Sequence, residues 1–416
     1  MGCGVLDLLK RRREKLLRLL GRPLEVRRIV VRDPERRRPH LEGLIPDGVE
    51  FSSDPRRVTR EAGVDLTVEV AGGTEEPREW ILDSLRHDRD VVTANKAVLA
   101  FHGGELFSVA AERGRGIYYE ASVAGAIPII EILQNGLVAN QMTQISGILN
   151  GTCNYILTRM DRERMGYEEA LAEAQAKGFA ETDPTLDVSG GDSAHKLALL
   201  AGILTRAYVP VENVYTEGLD RITSDDVEFV RTLGYTIKML AIARRNEHGA
   251  WELRVHPTLI PEGSILAGVS DEFNAVHLQG DAVDSMLAYG KGAGALPTAS
   301  SVVGDIVRAV RGQRGLPLQL DGNRPEIVSI DKVELRHYIR MTVLDLPGVL
   351  GKITSHFGLR KISISSIHQP DARAGSPVPI VLVTHRAADH VVSGVLRDIE
   401  EAKLLVEAPT RIRIEE

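Results

Sequence analysis

At 416 residues the chain exceeds one typical hydrophobic core, so two or three domains are expected. Its net charge of −7 argues against nucleic acid as the main partner, and it has neither an apolar run long enough for a membrane span nor a signal-peptide core. Two cysteines, Cys3 and Cys153, offer no disulfide framework and no metal-ligand spacing, so a reducing, cytoplasmic setting is the simplest inference.

Residues 5–20 (VLDLLKRRREKLLRLL) are helical by period, and VRRIVVRD (26–33) reads as a short strand ending in charge. VDLTVEVAGG (64–73) is a second strand running into a glycine turn, EEPREWILDSLRHD (75–88) is a helix, and RDVVTANK (89–96) is a third strand. This alternation predicts an α/β fold with a doubly wound parallel sheet, whose ligands sit at the carboxyl ends of the strands. Arg32, the turn Ala71-Gly72-Gly73 and the run Thr93 to Lys96 then share one rim. A dinucleotide-binding fold needs a first strand and a G-x-G-x-x-G turn, so that backbone N–H groups approach the pyrophosphate at a helix N-terminus. The chain opens on MGCGVLDLL instead, so that first strand is expected to be missing, through a misplaced start site or a true truncation. Strand 26–33 ends VVRD, where a dinucleotide fold carries the residue that senses the adenosine ribose: an arginine accommodates a 2′-phosphate and an acid binds the 2′-OH. Arg32, with Arg36, Arg37 and Arg38 behind it, favours NADP, and Asp33 keeps NAD open.

From 121 to 299 longer helices alternate with apolar, β-rich segments such as ELRVHPTLI (252–260), a pattern that reads as a substrate and dimerisation domain. Its most informative stretch is AKGFAETDPTLDVSGGDSAHKLALL (176–200), where Asp192, Lys196, Leu199 and Ile203 follow helical spacing on one stripe. Burying a lone ammonium is costly unless a carboxylate compensates it. An exposed (i, i+4) Asp/Lys pair is the ordinary alternative, and the apolar surroundings favour a functional pair. A helix is expected at 300–312, and LDGNRPEIVSIDK (320–332) reads as a linker. Strand HYIRMTVL, helix PGVLGKITSHFG, strands ISISSIHQ and PVPIVLVTH, helix ADHVVSGVLRDIEE and strand LLVEAPTRIRI then follow the ferredoxin-like order β-α-β-β-α-β.

Several motifs in series carry a family resemblance. GFAETDPTLDVSGGDSAHKLALL, with SGILNGTCNYILT (146–158) before it and GKGAGALPTASSVVGDIV (290–307) after it, resembles homoserine dehydrogenase, and TANKAVLA (93–100) and YYEASVAGAIPII (118–130) fit the same family in the same order. DLPGVLGKI (345–353) is similar to an ACT domain, a small-molecule-sensing module. The resemblance implies a dinucleotide-binding domain at 1–120 with 300–318 packing back on it, a substrate-binding and dimerisation domain at 121–299, a linker at 319–335 and an ACT regulatory domain at 336–416. It implies an enzyme that interconverts L-homoserine and L-aspartate 4-semialdehyde with NADP or NAD, on the route to threonine and methionine, as a homodimer or homotetramer with threonine as an amino-acid effector. The rival reading is a catalytically impaired amino-acid sensor or scaffold derived from such an enzyme.

Reducing an aldehyde needs a hydride and a proton, and a lysine can give the proton if burial lowers its pKa toward neutrality. Lys196 is the first choice for that role and Lys96 the second. The resemblance assigns Glu181 and Asp192, with Asp187 nearby, to the substrate's amino acid end, and Thr93, Lys96 and Gly294 to the cofactor, with Asn95 beside Lys96 in the same pocket; Arg32 at the strand end, Gly72 on the rim and Gly178, whose backbone a cofactor can approach, complete the cofactor set. Glu120, Val123, Gly125 and Ile127 match the family's monovalent cation site, read as sodium held by one carboxylate and main-chain carbonyls.

Overall fold

The basic N-terminal segment folds as two helices, α1 (Gly2–Arg11) and α2 (Arg13–Leu20), where the periodicity predicts one. The break falls at Arg12, within the four successive cations Lys10 to Arg13, where a continuous helix would crowd like charges. The computed structural model describes residues 1–416 except 37, 39, 40, 42, 47, 314–323, 372 and 374, so Arg37 and the start of the expected linker lie outside the described residues. The chain divides into two units, 1–143 with 195–213 and 274–325, and 144–194 with 214–273 and 326–416.

In the first unit β1 (Arg28–Val30) pairs in parallel with β2 (Glu50–Ser52), and a short helix α3 (Arg56–Thr59) leads to β3 (Leu66–Glu69). Helix α4 (Glu75–Arg86), β4 (Asp90–Thr93), α5 (Lys96–Glu112) and β5 (Ile117–Tyr118) complete a second parallel sheet of order β3-β4-β5. A loop of left-handed residues then reaches the short helix α6 (Ile129–Glu131). The predicted strands and helix thus stand where the alternation placed them, each shorter at its ends.

The second unit contains β6 (Met142–Ile148) from Gln144 on, α7 (Gly151–Glu163), α8 (Tyr167–Ala176), the single turn α9 (Thr185–Val188) and the start of α10 (Gly191–Thr205). It continues with β7 (Tyr215–Thr216), α11 (Ser224–Thr232), β8 (Tyr235–Arg245) and β9 (Trp251–Pro261). From Asn274 on the chain is again in the first unit, where β10 (Phe273–Gly280) and its neighbour β11 (Asp284–Lys291) lead into α12 (Ala295–Val310). Val5 of α1, Val92, Tyr118 and Ala299, Val302 and Ile306 of α12 share one core cluster, so α12 packs on the β3-β4-β5 sheet. Gly4 permits that approach, because a Cβ there would lie 2.8 Å from the Ala295 carbonyl oxygen.

After β12 (Ile327–Val328) come β13 (Glu334–Leu344), α13 (Val349–Leu359), β14 (Ile364–His368), β15 (Pro377–Thr384), β16 (Ala387–Ala388), α14 (Asp389–Glu401) and β17 (Thr410–Ile414). The four main strands run β17-β13-β15-β14, all neighbours antiparallel, in the β-α-β-β-α-β order read from the sequence. The last strand starts at Thr410 and not at Leu404, because Pro409 has no N–H to give a ladder. Phe357 and Ile353 of α13 and Val392, Val395 and Ile399 of α14 bury one face of this sheet.

β17 also pairs in parallel with β9, which joins this module to the rest of its unit through a charged seam. Arg413, 1% exposed, donates to Asp389 at 2.7 Å, to Glu217 at 2.7 Å and to the Tyr215 hydroxyl at 2.9 Å. Arg254, also 1% exposed, pairs with Glu415, which Arg244 shares. Such buried groups hold one arrangement, since removing one partner leaves a charge unpaired. Burial and the neighbouring guanidinium groups push His256 well below its ordinary value and His337 down to about 3. Both histidines are therefore neutral in the folded chain at pH values where the unfolded chain binds their protons. The contribution of these two histidines to stability therefore rises with pH between about 3 and the ordinary histidine value of 6.5. Between pH 7 and pH 5 the His337→Phe variant should lose less melting temperature than the unaltered chain; an identical pH dependence in the variant would remove His337 from the explanation.

Candidate active site

Unit one gathers several predicted cofactor residues around a buried carboxylate that sequence reasoning missed. Glu69 ends β3 and is 4% exposed. One of its oxygens accepts the Ala71 N–H at 2.7 Å and the Gly72 N–H at 3.3 Å, and the other accepts the Thr93 hydroxyl at 2.6 Å. Thr93 Oγ1 in turn accepts the Asn95 N–H, and the Asn95 amide donates to the Gly73 carbonyl at 2.8 Å while its oxygen caps α5 through Val98 N–H. Gly72, Thr93, Asn95 and Lys96, the first residue of α5, are thus fixed on the rim formed by the carboxyl ends of β3 and β4. An acid closing an apolar strand before two glycines was the available signal for Glu69. Arg32 follows β1 as an exposed side chain, with no contact to this cluster in the hydrogen bonds described. Asp33 is turned back on its own loop, accepting from the Glu35 and Arg36 N–H groups, and Arg38 lies over the Phe51 ring.

Glu120, Val123, Gly125 and Ile127 fall together in the loop between β5 and α6. The buried Glu120 carboxylate accepts the Ile130 and Glu131 N–H groups, each at 2.8 Å, and its own N–H donates to Asp305. Burial, with Asp305 adding to it against those N–H donors and Arg308, pushes Glu120 up to about 7, and burial does the same to Asp305. Ala124 and Gly125 are successive left-handed residues, and a Cβ on Gly125 would lie 2.4 Å from the Gly292 carbonyl oxygen. Gly125 O accepts from Ser301 and Ile127 O from Ile129, which leaves each carbonyl a second lone pair. The donor set is all hard oxygen, which fits a group I or II cation and not a soft metal. Among the described residues no group of three or more His, Cys, Asp or Glu side chains could hold a metal. Gly294 caps α12 with φ +121°, a conformation closed to other residues.

In unit two the structure joins Asp187 and Asp192. The Asn150 amide nitrogen donates to both, at 2.8 Å to Asp187 Oδ1 and 2.9 Å to Asp192 Oδ2. Asn150 is the N-cap of α7, a signal present in LNGTCNYIL that sequence reasoning did not use. Helix α10 begins at Gly191, so Asp192 lies inside its first turn and Lys196 one turn on, and the two side chains are 5% and 9% exposed. Leu199 on the same stripe is buried and Ile203 half-buried, as the periodicity predicts. Glu181 is exposed in the segment between α8 and α9, where only its carbonyl is engaged, by Gln175, in the bonds described. Gly178 sits in the left-handed turn that ends α8, φ +75°.

A family model described as homoserine dehydrogenase, NAD binding domain, matches residues 1–120, and one described as homoserine dehydrogenase matches residues 128–307. Over all of this chain and 96% of its own length, a homoserine dehydrogenase of Pseudomonas aeruginosa is 40% identical. The chain belongs to the homoserine dehydrogenase family. A homoserine dehydrogenase of Bacillus subtilis is 38% identical with the same coverage. The crystal structure of a homoserine dehydrogenase from Thiobacillus denitrificans superposes with a TM-score of 0.93 at 38% identity, covering 100% of this chain and 96% of that one. The reaction class is that of homoserine dehydrogenases, an oxidoreduction with a nicotinamide dinucleotide, and the Glu69 rim lies within the NAD-binding match. Glu69→Ala should weaken cofactor binding by about tenfold, the usual worth of hydrogen bonds to a charged group, while the homoserine KM stays near normal. Titration calorimetry with the oxidised cofactor checks this; unchanged affinity would show that the turn holds its shape without Glu69.

Proposed function

We propose that this chain oxidises L-homoserine and reduces L-aspartate 4-semialdehyde with NADP as preferred cofactor, using Lys196 at the reacting oxygen and Asp187 and Asp192 at the substrate's α-ammonium. The observation that carries the reading is the burial of Lys196 and Asp192 one turn apart on α10, with Asp187 tied to Asp192 through Asn150. The cofactor, when bound, supplies or accepts the hydride. Lys196 polarises the carbonyl and delivers the proton to the developing alkoxide, and it takes that proton back in the reverse direction. Two carboxylates favour a cationic amine and disfavour a neutral or acidic group in its place, which selects an amino acid over a simple aldehyde. Glu181 is assigned to the same end of the substrate, and Lys96, fixed at the start of α5, is the second candidate for the proton.

The NADP preference rests on Arg32 and Arg36 being exposed after β1 while Asp33 is occupied by its own loop. Gly72, Thr93 and Lys96 on the Glu69 rim, with Gly178 and Gly294, complete the cofactor assignment. The oxygen donors of Glu120, Val123, Gly125 and Ile127 are assigned to a structural sodium ion. We read 1–120 with 300–318 as the cofactor domain, 121–299 as the substrate and dimerisation domain, 319–335 as linker and 336–416 as an ACT module that takes an amino-acid effector such as threonine. The strand order β17-β13-β15-β14 supports the last assignment. A homodimer or homotetramer in the cytoplasm, serving threonine and methionine synthesis, completes the reading.

Lys196→Ala should lower kcat by about a hundredfold or more while cofactor affinity is kept; near-normal turnover would remove Lys196 as proton donor. In steady-state assays with aspartate semialdehyde, NADPH should give the higher kcat/KM, and Arg32→Ala should narrow its lead over NADH by raising the NADPH KM alone. Equal loss with both cofactors would place Arg32 outside the 2′-phosphate contact.

A further inference from the structure

The two carboxylates assigned to the substrate are side by side in one unit, and like charges so placed repel each other unless donors stand between them. Asn150 supplies those donors. Its side chain is 4% exposed, and its orientation is set from the other end, since Oδ1 accepts the Cys153 N–H at 2.8 Å as the cap of α7. That contact fixes the amide plane and turns Nδ2 toward Asp187 and Asp192, with one hydrogen for each. The first turn of α7 is itself held in place, because a Cβ on Gly151 would lie 2.6 Å from the Glu272 carbonyl oxygen and there is no room for the backbone to slide that way. The same turn grips the Asp187 segment twice more. Thr152 Oγ1 lies 3.2 Å from Asp187 Oδ2 and 2.7 Å from the Phe179 carbonyl oxygen, and the Cys153 thiol donates to the Asp187 carbonyl at 3.2 Å.

We propose that Asn150 is a positioning residue for the substrate's amino group: its one amide donates to both Asp187 and Asp192 and sets the distance between them, so that together they receive the α-ammonium. The inference rests on the reading that these carboxylates meet the substrate. Serine or aspartate at 150 still offers an oxygen to the Cys153 N–H, so either retains the helix cap. Neither offers the two amide hydrogens. Aspartate also adds a third negative group beside the other two, which makes protonation of the cluster easier and moves the acid limb of any activity that needs it ionised to higher pH.

The experiment measures kcat and KM for homoserine and for NADP from pH 6 to pH 10, with melting temperatures, for the unaltered chain, Asn150→Ser, Asn150→Asp and Asp192→Asn. The expected result is a homoserine KM raised about tenfold or more in both Asn150 variants, an NADP KM within about twofold, and a kcat/KM profile whose acid limb rises by about one pH unit in Asn150→Asp only. If Asp192→Asn raises the homoserine KM and the Asn150 variants do not, the Asn150 proposal fails and the substrate reading stands. If Asp192→Asn leaves the homoserine KM unchanged, the substrate reading fails and takes the proposal with it. A parallel rise in both KM values with a lowered melting temperature would make Asn150 a structural cap alone and overturn the proposal. Should Asn150→Ser not fold, Asn150→Asp decides the matter, since aspartate is among the strongest N-caps.

Discussion

Burying a charged side chain is costly unless opposite charge or hydrogen bonds compensate it, and α10 carries Asp192 and Lys196 one turn apart, both buried, on a helix whose Leu197, Leu199 and Leu200 are buried too. The i, i+4 spacing puts Asp192 on the lysine's face of that helix, and the Asn150 amide donates both to Asp192 and to Asp187 in the preceding turn. The cap of α7 then serves two purposes, closing a helix end and spacing two carboxylates, so a single polar side chain joins local folding to the chemistry.

The same economy governs the other buried charges. Glu69 satisfies two backbone N–H groups and a hydroxyl at the ends of two parallel strands, which makes the rim rigid before any ligand arrives. Arg413 and Arg254 do the equivalent where β17 meets β9, with Asp389, Glu217 and Glu415 as partners. Although burial pushes Asp389 and Glu415 upward, those guanidinium groups hold both carboxyls below the ordinary carboxylate range. In each case a charge in the interior fixes geometry, and in each case at least one partner comes from a distant part of the chain.

That distance explains what was legible in the sequence. The α10 stripe, the alternation of strands and helices up to Tyr118, and the C-terminal β-α-β-β-α-β order are local periodicities, and they appear where the pattern placed them. The pairing of β17 with β9 and the partners of Arg413 depend on long-range contacts that no window of residues contains. Asn150 and Glu69 were visible only as a helix cap and a strand end, because their second contacts lie some 37 to 42 and 24 residues away. The two helices at the N-terminus show the opposite failure, where hydrophobic period alone overlooked a run of cations.

The most direct measurement of the central claim is a crystal structure of the chain with NADP and homoserine bound together. The account predicts the α-ammonium within hydrogen-bonding distance of Asp187 and Asp192 and the hydroxyl at Lys196 Nζ. Homoserine bound with its amino group away from both carboxylates, or with its hydroxyl out of reach of Lys196, would contradict it.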